Sequence, residues 1–470
     1  MEWADSDLSL VNNDDEDSSP YPGNASELPP IDDEEIRQVE AAFSNMIDLT
    51  CSDGAEADGN IFEHTYIPQD WYAHLFRSIV PSQDALKQQP EQDLPRQFFS
   101  FEGKEGVKYA FKVLDRRTNS LTYEQMPTYH RYAMRLLFSG PIQRELLHTN
   151  AIKNIFARET NRIGKAFDDP KSRKHIPSFV KMYKINMNEL LQTNISDYAT
   201  FNEFFYRKLK PSARKIADSN NPNVIVSAAD CRLIIFDNVN DATRLWIKGH
   251  HFSLKHLFRD EKLAEEFNGG SIAIFRLAPV DYHRFHSPVD GEIGTQMKKI
   301  TGTYYTVNPI AIKENLDVLT RNQRTVITIE SQLFEKTAFV AIGALLVGSV
   351  NFTVEPKQQI NKGDELGKIK KKKKEVHIYN DLTYIFLGYF AYGGSTIVVA
   401  FKAGMIKWDD DLRHNSDNSM ETLVRMGEQI GQRRTDEERQ EYLSNVSNNG
   451  AKNATITQLV TCFPAMSMTK

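Results

Sequence analysis

The sequence has few of the residues on which several protein classes depend. Its 470 residues include only three cysteines, Cys51, Cys231 and Cys462. They are too few and too widely spaced for a disulfide framework or a cysteine-rich metal site. We therefore expect a reducing compartment and no metal ligation by cysteine.

Long apolar runs and an excess of basic charge are also missing. The longest apolar stretch, residues 339–354, is broken by glycine, serine and asparagine, whereas a membrane helix needs about 20 apolar residues. The net charge of −6 gives no indication of a nucleic-acid partner. The acidic residues 1–20 lack a basic or apolar leader, so we expect neither a secretory signal nor a mitochondrial transit peptide.

The chain nevertheless has enough apolar residues, 40%, for a sizeable core. Composition and periodicity divide it into four regions. We expect a disordered acidic N-terminus over residues 1–62, a helical region over 63–215, a β-rich core over 216–433 and a polar tail over 434–470. The fold class predicted from this order is α+β.

Local patterns refine this division. Thr200 and Glu203 form a T-x-x-E capping box that predicts a helix over residues 201–209. A helical stretch is also predicted over residues 254–267, and apolar spacing between 423 and 430 predicts a last helix. Apolar runs predict strands at 223–226, 232–236, 324–329 and 338–342.

The segment 368–388 interrupts the predicted core. It opens with a run of lysines, and the Leu-Gly pair before it recurs at its end. Without it, the sequence reads as an uninterrupted hairpin. Three interpretations stay open: a solvated basic loop, an inserted segment such as translated intron sequence, or a contact with anionic lipid headgroups, where each lysine would contribute about 1 kcal/mol.

The tetrapeptide Gly393-Gly394-Ser395-Thr396 lies between two β-like apolar runs. One interpretation is a simple turn. The other is self-cleavage, because Gly394 has no Cβ and its carbonyl can adopt a strained conformation open to attack by the Ser395 hydroxyl. The resulting ester would break by β-elimination, and the dehydroalanine left behind would hydrolyse to a pyruvoyl group and ammonia.

A serine hydroxyl of this kind needs a base. His283 and His286, three residues apart, are candidates because imidazole titrates near neutral pH; two surface histidines are the alternative. No third ligand lies nearby, so we expect no metal site. Asp230, at the end of a predicted strand, either caps a turn or orients a histidine. In the second case Asp230, His286 and Ser395 would act as orienter, base and nucleophile.

Six motifs together resemble the phosphatidylserine decarboxylase family of self-cleaving pyruvoyl enzymes. They occur in the family's order between about residue 150 and residue 431. They are Phe201-Asn-Glu-Phe-Phe-Tyr-Arg-Lys-Leu-Lys-Pro211, Ser227-Ala-Ala-Asp230, Asp281-Tyr-His-Arg-Phe-His286, Tyr305-Thr-Val-Asn-Pro309, Val347-Gly-Ser349 and Gly393-Gly-Ser-Thr396. The resemblance is greatest to the eukaryotic endomembrane type, and it implies a β-rich catalytic core like that of the family.

The resemblance implies roles for individual residues of an autocatalytically processed proenzyme. Cleavage would fall after Gly394. Ser395 would become the pyruvoyl group, the covalent cofactor, at the start of a small α-chain, and the preceding residues would form the β-chain. Asp230 and His286 would drive the cleavage, and His283 would assist decarboxylation of the substrate.

Two positions depart from the family pattern. Cys231 follows Asp230 where the family often has glycine, and Thr306 stands where bacterial members have serine. The 368–388 segment lies just upstream of the predicted cleavage site. If translated, it could misplace the two cleavage residues and slow or block processing.

The activity implied by the resemblance is conversion of phosphatidylserine to phosphatidylethanolamine and CO2. It would proceed through a Schiff base between the substrate amine and the pyruvoyl carbonyl, which accepts the charge left at Cα. Two alternatives stay open. One is a related soluble pyruvoyl decarboxylase of a free aromatic amino acid, and the other is a lipid-binding homologue that does not cleave itself.

The implied partners are phosphatidylserine in a membrane surface and the protein's own α- and β-chains. A homodimer is expected by analogy with the family, and no nucleic acid is expected. We expect a peripheral location on Golgi, endosomal or vacuolar membranes, facing the cytosol, with a cytoplasmic location as the alternative. Candidate membrane contacts are residues 71–76, residues 129–138 and the lysine run; the alternative for each is ordinary core or a solvated helix.

Overall fold

The computed structural model describes residues 111–124, 150–239, 252–305, 317–344, 350–369 and 395–446. Within these residues the chain combines helices with a large β-rich core, in agreement with the predicted α+β class. The predicted disordered N-terminus, Thr306, Gly394 and most of the 368–388 segment lie outside the described residues.

The described helices are short apart from the first. Helices α1 to α7 comprise Asn150–Phe167, Ile176–Tyr183, Phe201–Phe205, Leu254–Phe258, Glu261–Glu266, Val318–Arg321 and Asp410–Asp417. Residues 436–446 are also helical and are called α8. Short 3₁₀ helices lie at Pro170–His175, Met187–Glu189, Ile195–Asp197 and Pro211–Ala213. Among these described helices, none is long and apolar enough to cross a bilayer.

The described strands, β1 to β16, form three sheets. In chain order they are Phe111–Asp115, Ser120–Glu124, Val224–Val226, Cys231–Phe236, Ser271–Leu277, Arg284–His286, Gly291–Ile300, Arg324–Ser331, Glu335–Ile342, Val350–Phe352, Gln359–Ile360, Glu365–Ile369, Ser395–Phe401, Ile406–Trp408, Glu421–Val424 and Gln429–Arg433. The largest sheet has ten strands in the order β11-β7-β8-β9-β13-β5-β4-β15-β1-β2. The two smaller sheets are β10-β12-β6 and β14-β16-β3.

The middle of the ten-stranded sheet lies deep in the core. Strand β13 pairs antiparallel with β9 on one side and with β5 on the other. All seven residues of β13 and all seven of β5 are buried. Their nearly continuous apolar sequences follow from this position, because a strand covered on both faces has no solvent side for polar residues. The segment that begins at Ser395 therefore supplies a central strand.

Most of the predicted core elements are confirmed. The four predicted strands correspond to β3, β4, β8 and β9, and the helical stretch 254–267 is divided into α4 and α5. The capping box is present: Oγ1 of Thr200 accepts from the Glu203 amide at 3.1 Å, and the Glu203 carboxylate accepts from the Ala199 amide at 2.6 Å. The helix that it begins, α3, ends at Phe205 and is shorter than predicted.

The predicted last helix between residues 423 and 430 is wrong. These residues form the end of β15, a turn in which Gly427 has a φ of 83°, and the start of β16. Strand β15 pairs with β4, and β16 pairs with β3. Pairing with strands distant in sequence outweighs the local helical spacing, as the context dependence of strand formation allows.

Two further segments differ from the regions in which they lie. Residues 111–124 fall within the region predicted to be helical, yet they form the β1–β2 hairpin, and β1 pairs parallel with β15. Helix α8 falls within the predicted polar tail but packs on the core. There Arg439 donates to the Glu335 carboxylate at 2.6 Å, and the Arg434 guanidinium lies 4.3 Å from the Tyr442 ring centroid.

Candidate active site

Ser395 is the first residue of β13 and pairs with Leu277, the last residue of β5. Strand β5 is followed by residues 278–283, which we call the histidine loop, and then by β6, which ends at His286. The antiparallel register therefore places the predicted nucleophile beside the point at which the chain enters the histidine loop.

The Ser395 side chain is fully buried, and its hydroxyl has no hydrogen-bond partner among the described residues. The neighbouring Thr396 hydroxyl shares this property. Leaving a buried hydroxyl unsatisfied costs about 1–3 kcal/mol, and a catalytic role is one accepted reason for such a group. Formation of a pyruvoyl group removes this hydroxyl, because Oγ leaves with the Gly394 carboxylate and Cβ becomes a methyl group. That loss breaks no hydrogen bond seen among the described residues, so the position fits a pyruvoyl group.

His286 is held at both ring nitrogens. Its Nδ1 lies 2.8 Å from the Gly363 carbonyl oxygen, and its Nε2 lies 2.9 Å from the Tyr282 hydroxyl. Because a carbonyl only accepts, the proton is on Nδ1, and Nε2 accepts a hydrogen bond from Tyr282. Burial lowers the pKa of His286. The resting imidazole is therefore neutral, with Nε2 as its basic nitrogen.

Asp230 lies on the connection between β3 and β4. This connection is next to β6, since the His286 amide donates to the Ala228 carbonyl at 2.8 Å. The Asp230 carboxylate accepts from Nε and Nη2 of Arg214 at 2.9 and 2.5 Å, and from the Met426 amide at 2.9 Å. Its negative charge acts on the His286 imidazole through space and favours the protonated form.

His283 has a left-handed backbone conformation with a φ of 49°, which is uncommon for a residue other than glycine. Its Nδ1 lies 2.9 Å from the Asp281 carbonyl oxygen and therefore carries the ring proton. Its Nε2 is buried and has no partner among the described residues. Full burial lowers the pKa of His283 to about 3. The imidazole is therefore neutral, with an unengaged lone pair on Nε2.

Two buried ion pairs support the strands around these histidines. Arg232 donates to the Asp281 carboxylate at 2.6 Å, and the same carboxylate accepts from the Ala278 amide at 2.7 Å. Arg276 donates to Glu421 through Nε and Nη2, at 2.9 and 2.6 Å. The first pair fixes the turn within the histidine loop, and the second joins β5 to β15.

The structure thus places Asp230, His283, His286 and Ser395 on neighbouring segments of the core. It does not join Asp230, His286 and Ser395 by direct hydrogen bonds within the part of the chain that is described. Nδ1 of His286 donates to the Gly363 backbone carbonyl and not to Asp230. The Asp230 carboxylate instead accepts hydrogen bonds from Arg214.

Sequence reasoning missed two residues of this cluster, Tyr282 and Arg214. Tyr282 stands inside the histidine motif, but only the fold of the loop shows that its hydroxyl reaches His286. Arg214 lies 16 residues before Asp230 in an irregular segment, where no periodic pattern connects the two. The signal available was the motif Phe201–Pro211 immediately before Arg214.

Cys231, which departs from the family pattern, is buried in β4. Burial raises the pKa of its thiol well above the ordinary value, so the thiol stays protonated and poorly nucleophilic. Within the described ranges, no three histidine, cysteine, aspartate or glutamate side chains are grouped as metal ligands would be.

The sequence of the chain also matches a known protein family. The sequence profile of the phosphatidylserine decarboxylase family matches residues 201–371. This match includes Asp230, both histidines of the site and the segment that contains Arg214.

Curated relatives extend the match. The chain is 42% identical over 321 residues to phosphatidylserine decarboxylase proenzyme 3 of Schizosaccharomyces pombe, covering 68% of this chain and 31% of that protein. It is 40% identical over 322 residues to proenzyme 2 of Oryza sativa subsp. japonica, covering 68% of this chain and 48% of that protein. It is 35% identical over 320 residues to the proenzyme of Fusobacterium nucleatum, covering 68% of this chain and 97% of that protein. The match spans less than half the length of these two eukaryotic relatives and nearly all of the bacterial one. The chain belongs to the phosphatidylserine decarboxylase family.

Proposed function

We propose that the chain cleaves itself between Gly394 and Ser395 and then converts phosphatidylserine to phosphatidylethanolamine and CO2. The observation that carries this proposal is the Ser395 hydroxyl, which is buried and unpartnered among the described residues at the start of a central strand. A serine that only shaped a turn would be expected to bond a nearby backbone group. The printed names of the relatives describe proenzymes, which supports a processed chain.

In the proposed cleavage, the Ser395 hydroxyl attacks the carbonyl carbon of Gly394 while a base takes the hydroxyl proton. His286 supports this role because it is neutral and its Nε2 can accept a proton. The Tyr282 hydroxyl already donates to that nitrogen, so we propose that the proton passes from Ser395 through this hydroxyl. The charge of Asp230 then stabilises the imidazolium that forms.

A pyruvoyl group at residue 395 would supply the electron sink that decarboxylation of an α-amino acid needs. The buried start of β13 keeps water away from that position. His283 is neutral, and its Nδ1 proton is held by the Asp281 carbonyl. Its Nε2 is therefore the atom that can take a proton from the incoming substrate and return it to the substrate Cα.

We propose that the substrate is reached from a membrane surface. The described part of the helical region before the core exposes ten basic side chains, Arg158, Arg162, Lys165, Lys171, Arg173, Lys174, Lys181, Lys184, Lys208 and Lys215. Each such charge near an anionic lipid surface contributes about 1 kcal/mol of attraction. These residues support a peripheral location on endomembranes, facing the cytosol. The other candidate membrane contacts, 71–76, 129–138 and the lysine run from 370 onward, lie outside the described residues.

The oligomeric state and the helical character of the N-terminal region are proposed by analogy with the family alone. The first is a homodimer. The second is a helical character for the whole of region 63–215, of which residues 150–215 are described and contain three α-helices.

The test begins with the intact mass of freshly purified wild-type protein beside Ser395→Ala. We expect the wild type to be split after Gly394, with the small chain blocked by a pyruvoyl group. We expect the variant to keep the full 53.8 kDa. An uncut wild type that still binds vesicles would identify a non-processing lipid-binding homologue instead.

The processed protein is then offered vesicles that contain phosphatidylserine and, separately, free tryptophan. We expect CO2 release from the vesicles only. Release from tryptophan but not from vesicles would show a decarboxylase of free aromatic amino acids, and the proposed lipid substrate would be wrong.

A further inference from the structure

The histidine loop is held from outside by residues 205–207, which we call the α3 clamp. Arg207 is buried and donates from Nη2 to the Val280 carbonyl. In the opposite direction, Nε of Arg284 donates to two carbonyls of the clamp, at 3.0 and 3.2 Å. The chain is therefore tied to the α3 clamp both before His283, through Arg207, and after it, through the carbonyls of Tyr206 and Arg207.

This bracing matters because the backbone of His283 is strained. Its left-handed conformation, φ 49°, is of a kind that costs of order 1–3 kcal/mol and persists only where the surrounding structure enforces it. The hydrogen bonds on either side of the residue provide that enforcement.

Phe205 of the clamp faces the imidazole of His283. The two ring centroids are 4.1 Å apart with an interplanar angle of 32°, and both side chains are fully buried. The hydrogen bond from Nδ1 to the Asp281 carbonyl fixes one atom of the ring. The face of the Phe205 phenyl ring restricts the orientation of the imidazole plane. The lone pair of Nε2 lies in the imidazole plane. Phe205 therefore controls where Nε2 points.

We infer that Phe205 is a positioning residue for His283, and that Arg207 holds the loop on which His283 is carried. The inference rests on the proposed function, in which Nε2 of His283 exchanges a proton with the substrate. Phe205 acts only through the imidazole. A misplacement of about 1 Å at a reacting group can lower a rate by about 100-fold.

Phe201 provides a matched control. It lies on the same helix, is equally buried and packs against Phe167 and Phe179 at centroid distances of 4.8 and 5.3 Å. Among the described residues it makes no ring contact with His283. Phe201→Leu and Phe205→Leu therefore remove the same ring from the same helix, and only the second removes the stacking partner of the imidazole.

Both variants are compared with the wild type for self-cleavage, for thermal stability and for kcat and KM of CO2 release from phosphatidylserine vesicles. We expect both to be destabilised to a similar degree and both to cleave, because cleavage relies on His286 and Ser395. We expect kcat to fall about 10-fold to 100-fold in Phe205→Leu alone, with little change in KM.

The pH dependence of kcat distinguishes a positioning role of Phe205 from a general loss of core packing. Burial is the largest effect on the pKa of His283 and lowers it, and the hydrogen bond to the Asp281 backbone raises it. The charged groups that face His283 are Arg207 and Arg232, and both lower its pKa further. Without the phenyl ring, water reaches the imidazole and its pKa rises toward the ordinary value. The kcat of Phe205→Leu should therefore fall at mildly acidic pH, where the kcat of Phe201→Leu does not.

Equal kcat values and equal pH profiles in the two variants, with an active wild type, would overturn the inference and leave the proposed function intact. A processed wild type that releases no CO2 would overturn the proposed function instead. If the leucine variant does not fold, Phe205→Met and Phe201→Met give the same comparison with a flexible side chain. Nitrogen-15 spectra of the wild type add an independent check, since a His283 protonated on Nε2 at neutral pH contradicts the inference.

Discussion

The Tyr282 hydroxyl donates a hydrogen bond to Nε2 of His286 across 2.9 Å. Burial raises the pKa of Tyr282 well above the ordinary value, so the hydroxyl keeps its proton and acts as the donor. The one lone pair that His286 can offer as a base is therefore already engaged. A proton that leaves Ser395 for His286 must pass through this hydroxyl or displace it.

Replacing Tyr282 with phenylalanine tests this relationship. We expect Tyr282→Phe to slow self-cleavage by at least about 10-fold, because His286 loses the relay and one of the two bonds that orient its ring. We expect a loss of stability of about 1–3 kcal/mol from the buried nitrogen left without a donor. The measurement is the time course of chain cleavage by intact mass. Faster cleavage than in the wild type would show that the hydroxyl blocks the base.

The buried His283 predicts a pH dependence of stability. Its pKa is about 3 in the folded chain and about 6.5 in an unfolded one. Between these values the unfolded chain binds a proton that the folded chain does not. The free energy of unfolding therefore falls as the pH drops below about 6.5, by up to about 1.4 kcal/mol per pH unit, and is unaffected by this group above it.

Denaturant unfolding between pH 4 and pH 8 measures this slope, with Ser395→Ala as the background so that one uncut chain is studied. His283→Asn is the comparison, because asparagine keeps a donor for the Asp281 carbonyl and tolerates a left-handed backbone. Between pH 4 and about pH 6, we expect the free energy of unfolding of His283→Asn to depend less steeply on pH, by the amount that corresponds to nearly one bound proton. An unchanged slope would show that His283 is not the group responsible.

Arg276 and Glu421 form a buried ion pair, with side chains that are 5% and 6% exposed. We expect substitutions at these two positions to have non-additive effects on the free energy of unfolding. Arg276→Met alone should cost about 3–5 kcal/mol because it leaves a buried carboxylate without a partner. The double variant Arg276→Met/Glu421→Leu should cost less than the single one. The exposed pair Lys255–Glu261, 59% and 65% exposed, is the control, and breaking it should cost no more than about 1 kcal/mol. Additive costs at the buried pair would contradict this account.

The segment 368–388 yields a prediction about processing. Its first two residues end β12, where Lys368 pairs with Asn351 and Ile369 pairs with Val350. In a chain without the segment, Tyr389 and Phe390 take these two places. We expect this deletion variant to fold and to cleave at least as fast as the full chain, by intact mass. Loss of cleavage would show that the segment is part of the catalytic core.

Sequence patterns predicted the parts of the fold that follow from local chemistry. The apolar runs of β4 and β8 could be recognised because strands buried in a sheet contain few polar residues. The start of α3 could be predicted at Thr200 because its side-chain hydroxyl accepts the hydrogen bond that caps the helix. The helix predicted near Met426 failed because its apolar spacing serves two separate strands.

The candidate site could be predicted only as a set of residues. The motifs identified Asp230, both histidines and Ser395, since each has a chemistry that its neighbours in sequence make plausible. The contacts of Asp230 with Arg214 and of His286 with Gly363 depend on how distant segments meet, over separations of 16 and 77 residues. No local pattern carries that information.

The position of β13 has a consequence for the cleaved protein. Its seven residues are paired with β5, and all but the first are also paired with β9. A chain that began at Ser395 would therefore stay held inside the sheet after the proposed cleavage. Before the cut, refolding is a first-order process of one molecule. After it, refolding requires two chains to find each other and depends on their concentration. Self-cleavage would therefore make unfolding effectively irreversible at low concentration, and the lifetime of the mature protein would be set by its unfolding rate.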